Sequence, residues 1–160
     1  MPINNVIEGD LIKLALEGRY DAIAQGCNIF CTMGSGIAPQ IANAFPVARL
    51  VDNLTEYGDV SKLGTMSKGT HPLDGEKEVI IYNLYTQVEF GTPANGVHNV
   101  NYEAVAKCFT ELNRVLRECD NFKVGIPAIG CGLAKGHWEA IKTIINLVTP
   151  DLDIELVILP

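Results

Sequence analysis

The chain has 160 residues, of which 48% are hydrophobic and 19% are charged, and this composition is typical of a folded protein and excludes a disordered one. The length suits one domain with a sizeable core, so we predict a single domain over residues 1–160. The net charge of −7 argues against a nucleic-acid partner, because non-specific binding needs lysine and arginine to neutralise phosphates. An anionic ligand would have to be held by backbone amides and helix ends.

Neither a leader nor a membrane span is predicted. Residues 1–10 lack the cationic start and the long apolar run of a signal peptide, and no stretch approaches the roughly 20 apolar residues that a membrane span needs. The five cysteines are odd in number and dispersed, which favours free thiols in a reducing compartment over a disulfide framework. We therefore expect a cytoplasmic protein without a membrane partner.

Strands and helices are predicted to alternate along the chain. Residues 71–76 have the composition of a turn, and residues 87–99 that of a loop long enough to suggest a binding role. The order of elements predicts an α/β fold, namely a three-layer α/β/α sandwich with a mixed, largely parallel central sheet. Apolar and β-branched runs predict strands at 3–7, 21–28, 63–67, 78–85, 124–127 and 153–159, and helical spacing predicts helices at 11–16, 37–42, 47–57, 101–119 and from residue 138.

Two glycine-rich loops each connect a predicted strand to a predicted helix. The first contains Gly34 and Gly36, and the second contains Gly130, Gly132 and Gly136. Such loops let backbone N–H groups approach an anionic group at a helix N-terminus. If the two strands are neighbours in a parallel sheet, the loops face each other across the crevice where open α/β sheets bind ligands. For either loop alone, the alternative is a tight turn that binds nothing.

Two common nucleotide-binding motifs are absent. The pattern Gly130-x-Gly132-x-x-x-Gly136 has one residue more than the Rossmann fingerprint, and only one predicted strand follows it. No glycine loop ends in the Gly-Lys-Ser/Thr of a P-loop. These patterns therefore predict no cofactor.

The thiols and one histidine near the glycine loops each have two interpretations. Cys27, Cys31 and Cys131 could converge, but a zinc site would need a fourth ligand and there is no CxxC pair, so small thiols in packed turns are favoured and no metal is predicted. His137 is either a solvated residue beside the last helix or a general acid or base, since histidine exchanges protons near neutral pH. A cysteine nucleophile would also need His137 as its base.

Four other side chains have a structural and a functional interpretation. Asp10 stands where a helix N-cap would be. Trp138 is favoured as a core residue, and Tyr85 is either core or a stacking surface. Phe90 lies in the long loop, where it is free to stack on a base or a sugar.

Four motifs together resemble those of the macro domain family, and their order and spacing agree over nearly the whole chain. In that family the Asp contacts the adenine amino group, the Asn reaches the distal ribose, and the two glycine loops cradle the diphosphate of ADP-ribose. The matching motifs are Gly9-Asp10-Leu11, Gln25-Gly26-Cys27-Asn28 with Met33-Gly34-Ser35-Gly36-Ile37-Ala38, Tyr85-Thr86-Gln87, and Pro127-Ala128-Ile129-Gly130-Cys131-Gly132-Leu133 with Trp138.

The resemblance implies that ADP-ribose or ADP-ribose 1″-phosphate is the ligand. It carries ligand-binding roles to Gly9, Asp10, Leu11, Gln25, Cys27, Asn28, Met33, Gly34, Ser35, Gly36, Ile37, Ala38, Tyr85, Thr86, Gln87, Phe90, Pro127, Ile129, Gly130, Cys131, Gly132 and Leu133.

The sequence departs from the family at four positions. The branch that removes ADP-ribose from glutamate has a Lys after the third-motif Thr and an Asp after the fourth-motif Gly-Leu, where this chain has Gln87 and Ala134. Phosphatase-like relatives often have His in place of Gln25, and many relatives have Asp in place of His137. These differences disfavour a lysine-adduct mechanism.

The motifs are most similar to the ADP-ribose 1″-phosphate processing branch, which includes phosphatases, de-ADP-ribosylating relatives and many phage-encoded members. We therefore predict hydrolysis of the ADP-ribose 1″-phosphate monoester, with Asn28 orienting the distal ribose and His137 as the acid or base. The alternative is a non-catalytic reader or sequestering protein for ADP-ribose or related nucleotides, which the neutral residues at Gln25, Gln87 and Ala134 favour. Hydrolysis of protein-linked ADP-ribose is a third hypothesis, which the same departures disfavour.

Overall fold

The computed structural model describes residues 2–34, 36–88, 100–130 and 137–160. A short 3-10 helix, Val60–Lys62, follows the third α-helix. The strands are β1 (Ile3–Glu8), β2 (Ala22–Asn28), β3 (Met66–Leu73), β4 (Lys77–Gln87), β5 (Lys123–Ile126) and β6 (Asp153–Ile158), and the helices are α1 (Leu11–Leu16), α2 (Ala38–Ala44), α3 (Pro46–Asn53), α4 (Tyr102–Leu116) and α5 (Trp138–Val148).

The strands form one sheet in the order β1-β6-β5-β2-β4-β3. β3 pairs antiparallel with β4, and the other neighbouring pairs are parallel, which confirms the predicted mixed, largely parallel sheet. β2 and β5 are parallel neighbours, with Ala22 opposite Val124. The chain therefore leaves both strands at the same edge of the sheet, which is the condition for the two glycine loops to face each other.

Helices cover both faces of the sheet and confirm the predicted α/β/α sandwich. On one face, α4 and α5 pack against Tyr82, Leu84 and Ile126. On the other face, α1, α2 and α3 pack against Ile23 and Ile81. No helix in the described ranges is long and apolar enough to cross a membrane. The helical spacing over 101–119 corresponds to an apolar stripe of α4 that is buried at Val105, Phe109, Leu112 and Leu116.

The β3–β4 hairpin differs from the sequence-based prediction. The sequence pattern predicts a strand at 63–67 and a turn at 71–76, whereas β3 continues to Leu73. Pro72 lies inside this strand and pairs with β4. An edge strand tolerates proline because its missing N–H would point away from the sheet and has no neighbouring strand to bond.

Helix α3 is shorter than the helix predicted at 47–57. It begins at Pro46, whose fixed φ and missing N–H suit the first turn of a helix, and it ends at Asn53. The chain then turns so that the Gly58 N–H donates to the Ile29 carbonyl at 2.8 Å. The segment after α3 is therefore held by a tertiary hydrogen bond, which sequence periodicity does not encode.

A buried carboxylate joins β6 to the neighbouring elements. Glu155 has no exposed side-chain surface, and it accepts bidentate hydrogen bonds from Arg19 at 2.7 and 3.0 Å. Tyr20 and Asn5 also donate to it, and the Lys123 ammonium lies 3.5 Å away. These donors lower the pKa of Glu155 to about 2, with the Arg19 hydrogen bonds as the largest cause. This network of Glu155 and its partners, called the charged clamp below, therefore ties β6 to β1, to β5 and to the segment before β2.

Candidate ligand-binding cleft

A cleft of about 860 Å³ lies at the edge of the sheet where β1, β5 and β6 end. This volume is in the range of small-molecule sites. Asp10 is the one charged side chain in the lining that the structure describes, so backbone amides would have to hold an anionic ligand here. The lining residues are 9–12, 127–128 and 157–159, with Gly36 and Ile37 before α2 and Gln40, Asn43 and Ala44 along it.

Asp10 caps α1 at one end of the cleft. Its Oδ1 accepts hydrogen bonds from the backbone N–H groups of Ile12 and Lys13 at 3.0 and 3.2 Å. Both bonds use the same oxygen, and Oδ2 has no hydrogen bond within the described part of the chain. The capping interpretation is thus confirmed, and one carboxylate oxygen is still available to a ligand. Contact with adenine remains a prediction.

The side chain of Asn28, at the end of β2, stabilises the first glycine loop through hydrogen bonds. Its Nδ2 donates to the carbonyl and the hydroxyl of Thr32 at 3.1 and 2.8 Å, and its Oδ1 accepts from the Phe30 N–H at 2.8 Å. Both amide hydrogens are therefore used within the loop. A contact with the distal ribose would have to use the free lone pair of Oδ1.

The glycines of the first loop leave room for a ligand. A Cβ placed on Gly34 or Gly36 would meet no heavy atom within 4 Å. Gly36 lines the cleft and has φ +64, a left-handed conformation that favours glycine. Met33, by contrast, is buried and anchors the loop to the core.

Three of the predicted ligand-binding residues, Gln25, Cys27 and Tyr85, are buried beneath the loop. The Gln25 amide donates to Asn83, and burial raises the pKa of the Cys27 thiol. Tyr85 donates to Asp52 at 2.7 Å, and burial is the largest cause that raises the pKa of its hydroxyl. These contacts support the core interpretation of Tyr85, while a ligand role for the three stays a prediction.

Thr86 and Gln87 end β4 beside the end of β2. The Thr86 hydroxyl is buried and has no hydrogen-bond partner within the described residues. It lies against Gly26, where an added Cβ would come within 2.9 Å of both Thr86 Oγ1 and Ile129 Cγ2. Gln87 stands opposite Asn28 in the sheet. The third motif thus adjoins the second, as the resemblance implies.

The described part of the second glycine loop packs closely. Gly130 has φ +76, and a Cβ there would lie 2.7 Å from Val100, so this position requires glycine. His137 precedes α5 as its N-cap residue, its backbone N–H donates to the Tyr102 hydroxyl at 3.0 Å, and its side chain is exposed. Trp138 is half-buried against the core, as predicted.

Five predicted site residues and one position that was compared with the family lie outside the described residues. The four cysteines within the described ranges, Cys27, Cys31, Cys108 and Cys119, are free thiols, and no group of three metal-ligating side chains occurs there. The six positions are Ser35, Phe90, Cys131, Gly132, Leu133 and Ala134.

Sequence reasoning missed a buried polar cluster behind the first glycine loop. The Lys62 ammonium donates to the Ile29 carbonyl at 2.9 Å and lies 3.5 Å from the Cys31 sulfur. It also lies 4.6 Å from the centre of the Tyr85 ring. Asp52 accepts from Tyr85, and burial raises its pKa. No local pattern signals this cluster, because its members are distant in sequence.

No protein-family model matches the chain. The chain is 40% identical over 154 residues to an uncharacterized 17.5 kDa protein of Enterobacteria phage T4, covering 94% of this chain and 93% of that one. It is 27% identical to a DNA ADP-ribosyl glycohydrolase of Mycobacterium tuberculosis, covering 95% of this chain but only 40% of the relative's length. It is 26% identical to the human ADP-ribose glycohydrolase OARD1, covering 95% and 88% of the two chains.

A solved macrodomain structure shares the fold. The macrodomain of Thermus aquaticus DarG superposes with a TM-score of 0.70 at 20% identity, over 98% of this chain and 97% of that one. The six-stranded mixed sheet, the two loops at its carboxyl edge and these similarities agree with the family that the four motifs indicate. The chain belongs to the macro domain family.

Proposed function

We propose that this macro domain binds ADP-ribose in the cleft and hydrolyses ADP-ribose derivatives at the 1″ position of the distal ribose. The observation that carries the proposal is the 860 Å³ cleft at the carboxyl edge of the sheet, with Asp10 at one end and the first glycine loop at the other. Two relatives with known activity are ADP-ribosyl or ADP-ribose glycohydrolases, which supports hydrolysis as the class of reaction.

The pose follows from the chemistry of the lining. The Asp10 carboxylate accepts a hydrogen bond from the adenine amino group through Oδ2. The diphosphate lies between the loop that contains Gly36 and the turn that follows β5, where backbone N–H groups are the available donors. The distal ribose then reaches the end of β2, beside Asn28. In the proposed pose, the 1″ position points toward His137.

The specific reaction that we propose is hydrolysis of the 1″-phosphate monoester. Water attacks phosphorus, the bond between phosphorus and the 1″ oxygen breaks, and ADP-ribose leaves with the proton that the 1″ oxygen needs. His137 supplies or removes the proton, and the loop amides stabilise the transferred phosphate. Gln87 stands where a lysine would be needed for an adduct at C1″, and this favours the phosphomonoester over a glycosidic substrate.

The second candidate is hydrolysis of the glycosidic bond between C1″ and a modified macromolecule. The activities of the mycobacterial and human relatives favour it. In this reaction water attacks C1″, and the bond from C1″ to the attached group breaks. The products separate the two candidates, because the first releases inorganic phosphate and the second releases ADP-ribose from DNA or protein.

The test is to incubate the protein with ADP-ribose 1″-phosphate, with ADP-ribosylated DNA and with ADP-ribosylated protein. We expect phosphate release from the first substrate, reduced about 10²–10⁴-fold in His137→Ala by loss of the acid or base. His71→Ala is the matched control, because His71 lies on β3 with its ring against Phe45 and should retain full activity.

Two outcomes would contradict the phosphatase assignment. Free ADP-ribose from modified DNA or protein without phosphate release would establish the glycosidic reaction instead. Binding of ADP-ribose with no product from any substrate would establish a non-catalytic reader.

A further inference from the structure

Lys62 carries a buried ammonium group directly behind the first glycine loop. The residue is only 7% exposed, and its Nζ donates to the Ile29 carbonyl at 2.9 Å. Its two other close neighbours are the Cys31 sulfur, at 3.5 Å, and the face of the Tyr85 ring, whose centre is 4.6 Å away. The ammonium is thus held by a carbonyl dipole, a thiol and an aromatic ring.

Among the described residues, Lys62 forms no ion pair within 4.0 Å. Asp52 and Asp59 carry opposite charges that interact with it from beyond that distance. Asp52 belongs to the same cluster, but its Oδ1 accepts from the Tyr85 hydroxyl, and burial raises the pKa of its carboxyl group. A buried charge is costly unless it is paired, so the position of Lys62 calls for a reason beyond stability.

The first glycine loop, which lies next to Lys62, gives a functional reason for burying this charge. The Ile29 carbonyl belongs to the turn that Asn28 stabilises through Phe30 and Thr32, and this turn leads into the loop whose Gly36 lines the cleft. The described lining of the cleft contains no lysine or arginine, and the chain has a net charge of −7. A cation behind the loop raises the electrostatic potential at its backbone amides, where water screens it little.

We propose that Lys62 is the buried countercharge of the anionic ligand and that its bond to the Ile29 carbonyl positions the first glycine loop. The inference rests on the proposed ADP-ribose site and adds a positioning residue to it. The ligand's diphosphate supplies the negative charge, and Lys62 acts on it through the loop without touching it.

The test compares Lys62→Met, which keeps the length of the side chain without its charge, with the wild-type protein. We expect ADP-ribose affinity to fall about 10- to 100-fold, as for loss of a charge-assisted interaction. Binding of neutral adenosine, followed by ligand-observed NMR, should not change. Lys107→Met is the matched control, because the Lys107 side chain is 61% exposed, and it should bind both ligands like the wild type.

Lys62→Gln is a second neutral variant, whose amide keeps a hydrogen-bond donor on a side chain one atom shorter than lysine. We expect it to bind ADP-ribose more weakly than the wild type and no more weakly than Lys62→Met, and it decides the question if the Met variant does not fold. Wild-type affinity in either folded variant, or an equal loss for ADP-ribose and adenosine, would overturn the inference. Failure of the wild-type protein to bind ADP-ribose would instead contradict the proposed function.

Discussion

Replacement of Gly34 by glutamate will abolish ADP-ribose binding and leave the fold intact. A Cβ at Gly34 meets no heavy atom within 4 Å, and its φ lies outside the left-handed region, so the backbone accepts a side chain without strain. The added carboxylate would stand beside the diphosphate, and facing like charges cost several kcal/mol. We expect an affinity loss of about 100-fold or more by calorimetric titration, with an unchanged far-UV circular dichroism spectrum.

Two neutral variants at the same position separate charge from bulk. Gly34→Gln has the size of glutamate and should lose much less affinity, and Gly34→Ala should bind nearly like the wild type. A folded Gly34→Glu protein with wild-type affinity would place the diphosphate elsewhere on the molecule.

Glu155→Gln will be the most destabilising conservative change in the charged clamp. The variant keeps the shape of the side chain but leaves Arg19 without its buried partner. The pKa of Glu155 is lowered from 4.5 to about 2 in the folded protein, which corresponds to about 3 kcal/mol of unfolding free energy at neutral pH. Urea titration at pH 7 should show a loss of about that size.

The pH dependence of this loss has a definite sign. Because the pKa is lower in the folded state than in the unfolded state, the stabilisation is complete above the unfolded pKa and disappears as the pH falls through the folded pKa. The difference between wild type and Glu155→Gln should therefore shrink between about pH 4.5 and pH 2. Glu111→Gln, which removes an exposed ion pair with Arg114, is the control and should hardly change stability. A constant difference over this pH range would contradict the assigned pKa.

The sequence predicted those features that local patterns encode. The glycine loops after two strands were expected to share a crevice on the condition that these strands are neighbours, and β2 and β5 meet that condition. Asp10 was predicted as a helix cap, since a capping side chain and the backbone amides it accepts from are close in sequence. The α4 stripe was equally readable, because helical spacing is a short-range property.

Features that depend on tertiary contacts were not readable from the sequence. Pro72 indicated a turn, and only the edge position of β3 makes it acceptable in a strand. Lys62 reaches the carbonyl of Ile29, which is 33 positions away in the chain. Glu155 lies between apolar residues of β6, and the local sequence gave no sign of its four partners.

Calorimetric titration of the wild-type protein with ADP-ribose tests the central claim most directly. We expect saturable one-to-one binding that is weaker for AMP, because AMP lacks the second phosphate and the distal ribose. A ligand that binds only the folded state stabilises it by about 2.7 kcal/mol at a concentration 100 times its Kd, so Tm should rise with ADP-ribose concentration. No heat of binding and no change in Tm at millimolar ADP-ribose would contradict an ADP-ribose site in the cleft.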